Sequence, residues 1–337
     1  MPLFLHVRIQ EPPAHDHDNA TLARSSRVYE MKLVSIKSLA NAHGDGVWAV
    51  AWAAATGDRP AVLLTGSADE SVKVWKGDEL DLERTNSGNS LGVVAVAASP
   101  DGRVAACTSL DSVVRIFDVD SNSTLATLES KPAEAWQMQF HPKGELLAVA
   151  GGGSGCVNIW KASSGSRETS LKAESVDKVG GGKFVLSVAW SPDGKLLACS
   201  SMDGTIAVFD VARGKMLHTL DGHSMPVRCL AFSPVEPRYL FTACDDKHVH
   251  MYDAEGRSLV SAMSGHASWV LSVAGSPDGA ALASASSDRT VRLWDLKTRS
   301  CVQSLTEHKD QVWGVAFRPG RLATVADDRS ICLYDYA

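Results

Sequence analysis

The sequence predicts an all-β fold, a seven-bladed β-propeller, from three observations. First, an aromatic residue, usually followed by Asp, recurs down the chain: Trp75-Lys76, Phe117-Asp118, Trp160-Lys161, Phe209-Asp210, Tyr252-Asp253, Trp294-Asp295 and Tyr334-Asp335. The spacings of 42, 43, 49, 43, 42 and 40 residues suit a four-stranded propeller blade. Second, an Asp stands six residues before six of these aromatics, at 69, 111, 203, 246, 288 and 328, with Ser154 in the third unit. Third, each unit reads as short alternating strands separated by turns, with no helical period. A helical solenoid of similar period is excluded on that ground.

Within each unit the elements follow in order. A His opens four of them, at 43, 223, 266 and 308. Alternating runs such as "VLSVAW" at 185–190 and "VWGVAF" at 312–317 read as strands. Pro-containing turns follow, "SPDG" at 99–102, 191–194 and 276–279 and "HPKG" at 141–144. The stretch 165–183, which lengthens the third interval, reads as a surface loop between the third and fourth blades. The last unit stops at "ICLYDYA" with three strands, while "KLVSIKSL" at 32–39 precedes the first His and has no blade of its own. An N-terminal strand therefore completes the last blade, which removes an open sheet edge. Residues 1–31 read as a disordered N-terminal extension and 32–337 as the propeller, with Met31 a possible natural start.

Composition narrows the function. The 337 residues are 45% hydrophobic and 21% charged, with net charge -6. No long basic run appears, so direct nucleic-acid binding through phosphates is not expected. No apolar run reaches membrane-spanning length. Residues 3–7 are too short an apolar stretch for a signal peptide. Seven dispersed cysteines without a CxxC pair read as reduced thiols. "HDHD" at 15–18 lacks residues nearby to complete a metal shell, so no metal is expected. "GGGSG" at 151–155 has no GK[ST] after it and is a turn, not a phosphate loop. No catalytic constellation stands apart from the repeat, and no cofactor is implied.

Seven units with these marks in phase resemble the WD-repeat β-propeller family over 32–337. The resemblance implies a structural tetrad of His, Ser/Thr, Asp and Trp in a blade. It falls on His43, Thr65, Asp69 and Trp75, and on His266, Ser284, Asp288 and Trp294. Two further blades carry His223, Thr242, Asp246 and His308, Thr324, Asp328, with Tyr252 and Tyr334 at the aromatic position. The three units without the His have Cys107, Ala150 and Cys199 in place of Ser/Thr, so both partners are lost together, as the cost of half-satisfied buried networks requires. The family also implies three exposed positions per blade on one rim, the top face. Here these are Gly46, Trp48 and Ala68; Gly92, Val94 and Leu110; Glu134, Trp136 and Gly153; Phe184, Leu186 and Met202; Pro226, Arg228 and Asp245; Trp269, Leu271 and Ser287; Gln311, Trp313 and Asp327. With neighbouring Met225, they form a mouth rich in the residue types of binding hot spots. The partner-binding candidates are Trp48, Trp136, Phe184, Leu186, Met202, Met225, Arg228, Asp245, Trp269 and Trp313. Three acids, Glu134, Asp245 and Asp327, favour a partner segment bearing Arg or Lys beside apolar anchors.

Stretches such as "DELDLERTNSGNSLGVVAVA", "LHTLDGHSMPVRCLAFSP" and "SGHASWVLSVA" resemble more narrowly the WD-repeat subunits of the superkiller complex, which in plants are the vernalization-independence WD-repeat proteins. The resemblance implies a non-catalytic adaptor, monomeric within hetero-complexes, in the cytoplasm and the nucleus. Its implied partners are a tetratricopeptide scaffold and a helicase in exosome-linked 3′-to-5′ mRNA decay, and the polymerase-associated factor complex in elongation, histone modification and flowering. A substrate receptor of a cullin-type ubiquitin ligase is the alternative. Such receptors usually end blades in Trp-Asp-x-Arg, and "WDLK", "FDVA" and "YDAE" do not match.

Overall fold

The computed structural model describes residues 31–129, 135–173 and 184–337. The expectation for residues 1–30 lies outside them. Among the described residues the regular structure is all strand, in seven four-stranded antiparallel sheets. In the first blade Val47–Ala53 is innermost, followed outward by Val62–Ser67, Val72–Lys76 and Asp81–Asn86. The innermost strands line a common channel. Six sheets follow chain order. In the seventh, Val312–Arg318, Arg321–Ala326 and Ile331–Tyr336 are completed by Leu33–Leu39, paired antiparallel to Ile331–Tyr336.

Burial explains the strand compositions. Second strands such as "VLLTGS" and "ALASAS" are buried at every position, because both faces of a blade pack on its neighbours. Their small residues let adjacent sheets approach. Outer strands are mostly solvated. This corrects the loop expected over 165–183: Arg167–Lys172 is the outer strand of the third blade. Five of its six residues are polar, and Leu171 alone is buried. An outer strand needs little more than that one apolar contact, so composition alone reads as loop. Residues 174–183 lie outside the described residues.

The closing strand is tied to both neighbours. Gln303, in the sixth blade, donates from Nε2 to the Leu33 carbonyl at 2.9 Å and accepts from the Leu33 N–H at 2.8 Å. Toward the first blade, Lys37 pairs with Glu79 at 2.7 Å, and just past the strand the Ala42 N–H donates back to the Arg329 carbonyl of the seventh blade at 2.9 Å.

In the first blade the Trp75 indole donates to Thr65 Oγ1 at 2.8 Å, and Thr65 lies 2.8 Å from His43 Nε2. His43 Nδ1 lies 3.0 Å from Asp69 Oδ2. A carboxylate only accepts, so Nδ1–H donates to Asp69 and Nε2 accepts from the Thr65 hydroxyl. Trp294, Ser284, His266 and Asp288 repeat the chain at 2.8, 2.7 and 2.9 Å. The tyrosine blades differ. Tyr252 bonds His250 Nδ1 at 3.0 Å, and Tyr334 bonds Glu307 at 3.2 Å. The second blade, expected to have lost its network, has rebuilt one. Asn89 takes the His place and accepts from Cys107 and from Arg115, whose other amine holds Asp111 at 2.9 Å.

Burial lowers His43 to about 4, outweighing the pull of Asp69, and lowers His250 to about 4 as well, aided by neighbouring imidazoles. In the unfolded chain each would titrate near 6.5. A folded pKa below the unfolded one means stability is full above pH 6.5 and falls as pH drops toward 4, because the unfolded chain takes up protons first. Each histidine should cost about 3 kcal/mol by pH 4. We expect Tm to fall steadily between pH 6.5 and 4.5, before most carboxylates titrate. A Tm flat to pH 5 in thermal scans would contradict this.

Candidate functional site

The rim positions are set by one backbone device. In six blades the innermost strand pairs regularly except for a single skipped residue: Trp48, Val94, Leu186, Arg228, Leu271 and Trp313. Such a bulge leaves one residue out of the ladder and re-aims its side chain. Beyond the bulge the ladder is closed by a backbone bond from the third rim position to the first. Ala68, Leu110, Met202, Asp245, Ser287 and Asp327 donate N–H to the carbonyls of Gly46, Gly92, Phe184, Pro226, Trp269 and Gln311 at 2.9–3.0 Å. The three rim positions of a blade are therefore one hydrogen-bonded unit.

These units converge on a cavity of about 270 Å³ lined by Trp48, Val94, Leu110, Trp136, Gln137, Leu186, Arg228, Leu271 and Trp313. That is just under the range of small-molecule pockets, which suits a few side chains of a partner segment. Below it, the channel lining contains no charged residue and no histidine among the described residues.

The candidates divide into a floor and an exposed rim. On the floor, Trp48 leans on Trp313 with ring centroids 6.3 Å apart and donates to Asp327 Oδ1 at 2.9 Å. Gly46 and Gly92 make room for it: a Cβ on Gly92 would come within 2.8 Å of the Trp48 ring, and one on Gly46 within 2.4 Å of Asp327. Trp136 meets Phe184 edge to face at 5.4 Å, and Leu186 is buried beneath. The indole nitrogens of Trp136 and Trp313 are buried without a protein partner. On the rim, Trp269, Leu110, Met202 and Met225 are 45%, 46%, 46% and 40% exposed. Leu110, an apolar side chain open to solvent at the cavity edge, was in the rim set but not among the candidates.

The two described acids of the rim are both hydrogen-bonded within it. Asp245 is only 4% exposed, and both its oxygens are held by Arg228, at 2.8 and 2.7 Å. The pair raises Arg228 above its usual value, and the guanidinium lies 5.6 Å from the Trp269 ring. Asp327 is engaged by Trp48, and Glu134 lies outside the described residues. Arg228 thus neutralises Asp245, while the neutral Trp48 indole leaves Asp327 its negative charge. The large side chains left exposed on the rim are apolar and aromatic.

Comparison with known proteins accords with this architecture. A family model described as "IFT122 first beta-propeller" matches residues 78–335, and one described as "WD domain, G-beta repeat" matches 34–76. This chain belongs to the WD-repeat β-propeller family. The WD repeat-containing protein VIP3 of Arabidopsis thaliana is 60% identical over 91% of this chain and 100% of its own length. The WD repeat-containing protein SL1-17 of Schistosoma mansoni is 34% identical over 65% of this chain and 70% of its own. The meiotic recombination protein rec14 of Schizosaccharomyces pombe is 27% identical over 57% and 62%. As a WD-repeat propeller, the chain has the architecture of a protein-interaction scaffold.

Proposed function

We propose that this propeller is a non-catalytic adaptor that captures an apolar segment of a partner protein in its mouth. The supporting observation is the cavity bordered by Leu110, with exposed Trp269, Met202 and Met225 on the same rim. Large side chains left in water at one rim mark a docking site. The non-catalytic part of this reading is supported by the WD-repeat architecture. The resemblance to superkiller-complex WD-repeat subunits, and the 60% identity to VIP3, favour two settings: an mRNA-decay complex with a tetratricopeptide scaffold and helicase in the cytoplasm, and a polymerase-associated factor complex in the nucleus.

The test is capture from native extract by the wild type and by Leu110→Asp plus Trp269→Ala, read by mass spectrometry. Both side chains are exposed, so the ring should stay folded, as circular dichroism would show. We expect at least a tenfold loss of the scaffold, the helicase and the factor-complex subunits. Full retention by the folded variant would move the adaptor surface off the mouth.

A further inference from the structure

The top corner of the fifth blade departs from its siblings in one consistent way. Two residues before the tetrad Asp, other blades carry Ser67, Ser109, Ser201 and Ser286; here stands Cys244. Two residues after it, others carry Ser71, Thr205, Thr290 and Ser330; here stands His248. Four after it, others carry Lys73, Arg115 and Arg292; here stands His250. Three positions around one aspartate have become metal-ligand types, while His223 and Asp246 are retained. The backbone roles are unchanged: the Asp246 N–H points at Cys244 Sγ at 3.4 Å, as the Asp69 N–H points at Ser67 Oγ at 3.0 Å.

The donors are close. One ligand atom each of His223, Cys244 and Asp246 lie within 4.8 Å of one another. His248 donates from Nδ1 to the Asp246 carbonyl at 2.8 Å, and its half-exposed ring marks the solvent side of the cluster. The second shell also differs from the tryptophan blades. There the Ser/Thr hydroxyl already receives an indole N–H. Here the Tyr252 hydroxyl turns to His250 instead, and Thr242 Oγ1 lies 2.7 Å from His223 Nε2, able to accept a proton there. His223 Nδ1–H donates to Asp246 Oδ2 at 2.5 Å, and moving that proton to Nε2, where Thr242 can receive it, frees the Nδ1 lone pair. His250 stacks on His223 at 3.8 Å, which fixes the plane of the ring. Holding the second nitrogen of a ligand imidazole is the usual way a protein orients it.

We propose that Cys244 Sγ, Asp246 and His223 Nδ1 form a three-ligand site for a divalent transition-metal cation, zinc by its mixed sulfur, nitrogen and oxygen donors, with water as the fourth ligand. Binding releases the Cys244 thiol proton to solvent and shifts the His223 Nδ1 proton to Nε2. The hydrogen bond between His223 and Asp246 opens by about 1 Å to the separation that tetrahedral ligands keep. The cation joins the loop before the innermost strand to the turn that carries Asp245, and so braces the rim beside Met225, whose carbonyl accepts from the Cys244 thiol at 3.3 Å in the metal-free protein.

The test loads the purified full chain with cobalt(II) and then zinc(II), measuring metal content and the absorption of the cobalt form. One equivalent retained through gel filtration, with tetrahedral d–d bands and a thiolate-to-cobalt band, is the expected result. Cys244→Ser and His248→Ser restore what sibling blades carry and should fold. The first should abolish the thiolate band. It should also weaken zinc binding about 100-fold or more, whereas His248→Ser should keep the band. The "HDHD" run at 15–18 contains no cysteine, so it cannot produce that band. Absence of the band, or a band untouched by Cys244→Ser, overturns the site. Loss of the band in His248→Ser overturns the three-ligand assignment.

Discussion

A chain beginning at Ala40 is expected not to yield a soluble ring, whereas one beginning at Met31 should unfold at the same temperature as the full protein. The difference is one strand. Leu33–Leu39 pairs with Ile331–Tyr336 at six positions, and Leu33 is 2% exposed. Removing it exposes the apolar packing between the sixth and seventh blades around Leu305, Leu322 and Tyr334, and strips Gln303 of both its partners. Each lost backbone bond is worth about 1 kcal/mol and the buried leucine about 2 kcal/mol, so the deletion costs at least about 5 kcal/mol. That approaches the whole stability of an ordinary domain. It also bares the full length of Ile331–Tyr336 as an unpaired edge, the feature that invites association. Size-exclusion chromatography and thermal unfolding of the two truncations decide the matter. A monomeric Ala40 chain melting within a few degrees of the Met31 chain would show that the ring does not depend on this closure.

The closure was legible because the last unit ends one strand short and an unassigned strand stands at the other end. The blades were legible because polar marks recur at fixed offsets, which no packing argument is needed to see. Arg167–Lys172 was not legible, since an outer strand makes few demands on its side chains and its lone buried leucine leaves no period. The rim was half legible. Repeat position says which residues sit at the bulge, and so which point into the mouth. It does not say whether two side chains there satisfy each other. Arg228 lies on the innermost strand and Asp245, 17 residues on, in the turn after the next strand, and only the register brings them together. Likewise Asp327 looks unpartnered until the last blade is laid beside the first, where Trp48 reaches it. The rebuilt network of Asn89 and Arg115 escaped notice because it uses residue types foreign to the repeat. The same comparison between blades, turned around, is what singles out Cys244 and His248.

Arg228→Ala should destabilise the protein by about 2–3 kcal/mol, and adding Asp245→Ala should restore at least half of that. The bidentate pair holds a carboxylate that is almost wholly buried, and deleting the cation leaves that charge uncompensated. Breaking a buried pair costs about 3–5 kcal/mol, but the Arg228 side chain is 30% exposed, and water entering from the mouth screens part of the loss. Removing both groups abolishes the desolvated charge, so the double variant recovers. Denaturant midpoints for the two singles and the double form a cycle that reads the coupling directly. Additive losses would mean that the pair does not act as a unit. The double variant also separates two roles that the single confounds. If Arg228 only braces the rim, the folded double variant still captures its partners. If the guanidinium, poised beside the Trp269 ring, also reaches a partner carbonyl, capture stays lost although stability returns. The first result leaves the mouth purely apolar in its recognition. The second gives it one polar anchor, supplied by the side chain that occupies the bulge of the fifth blade.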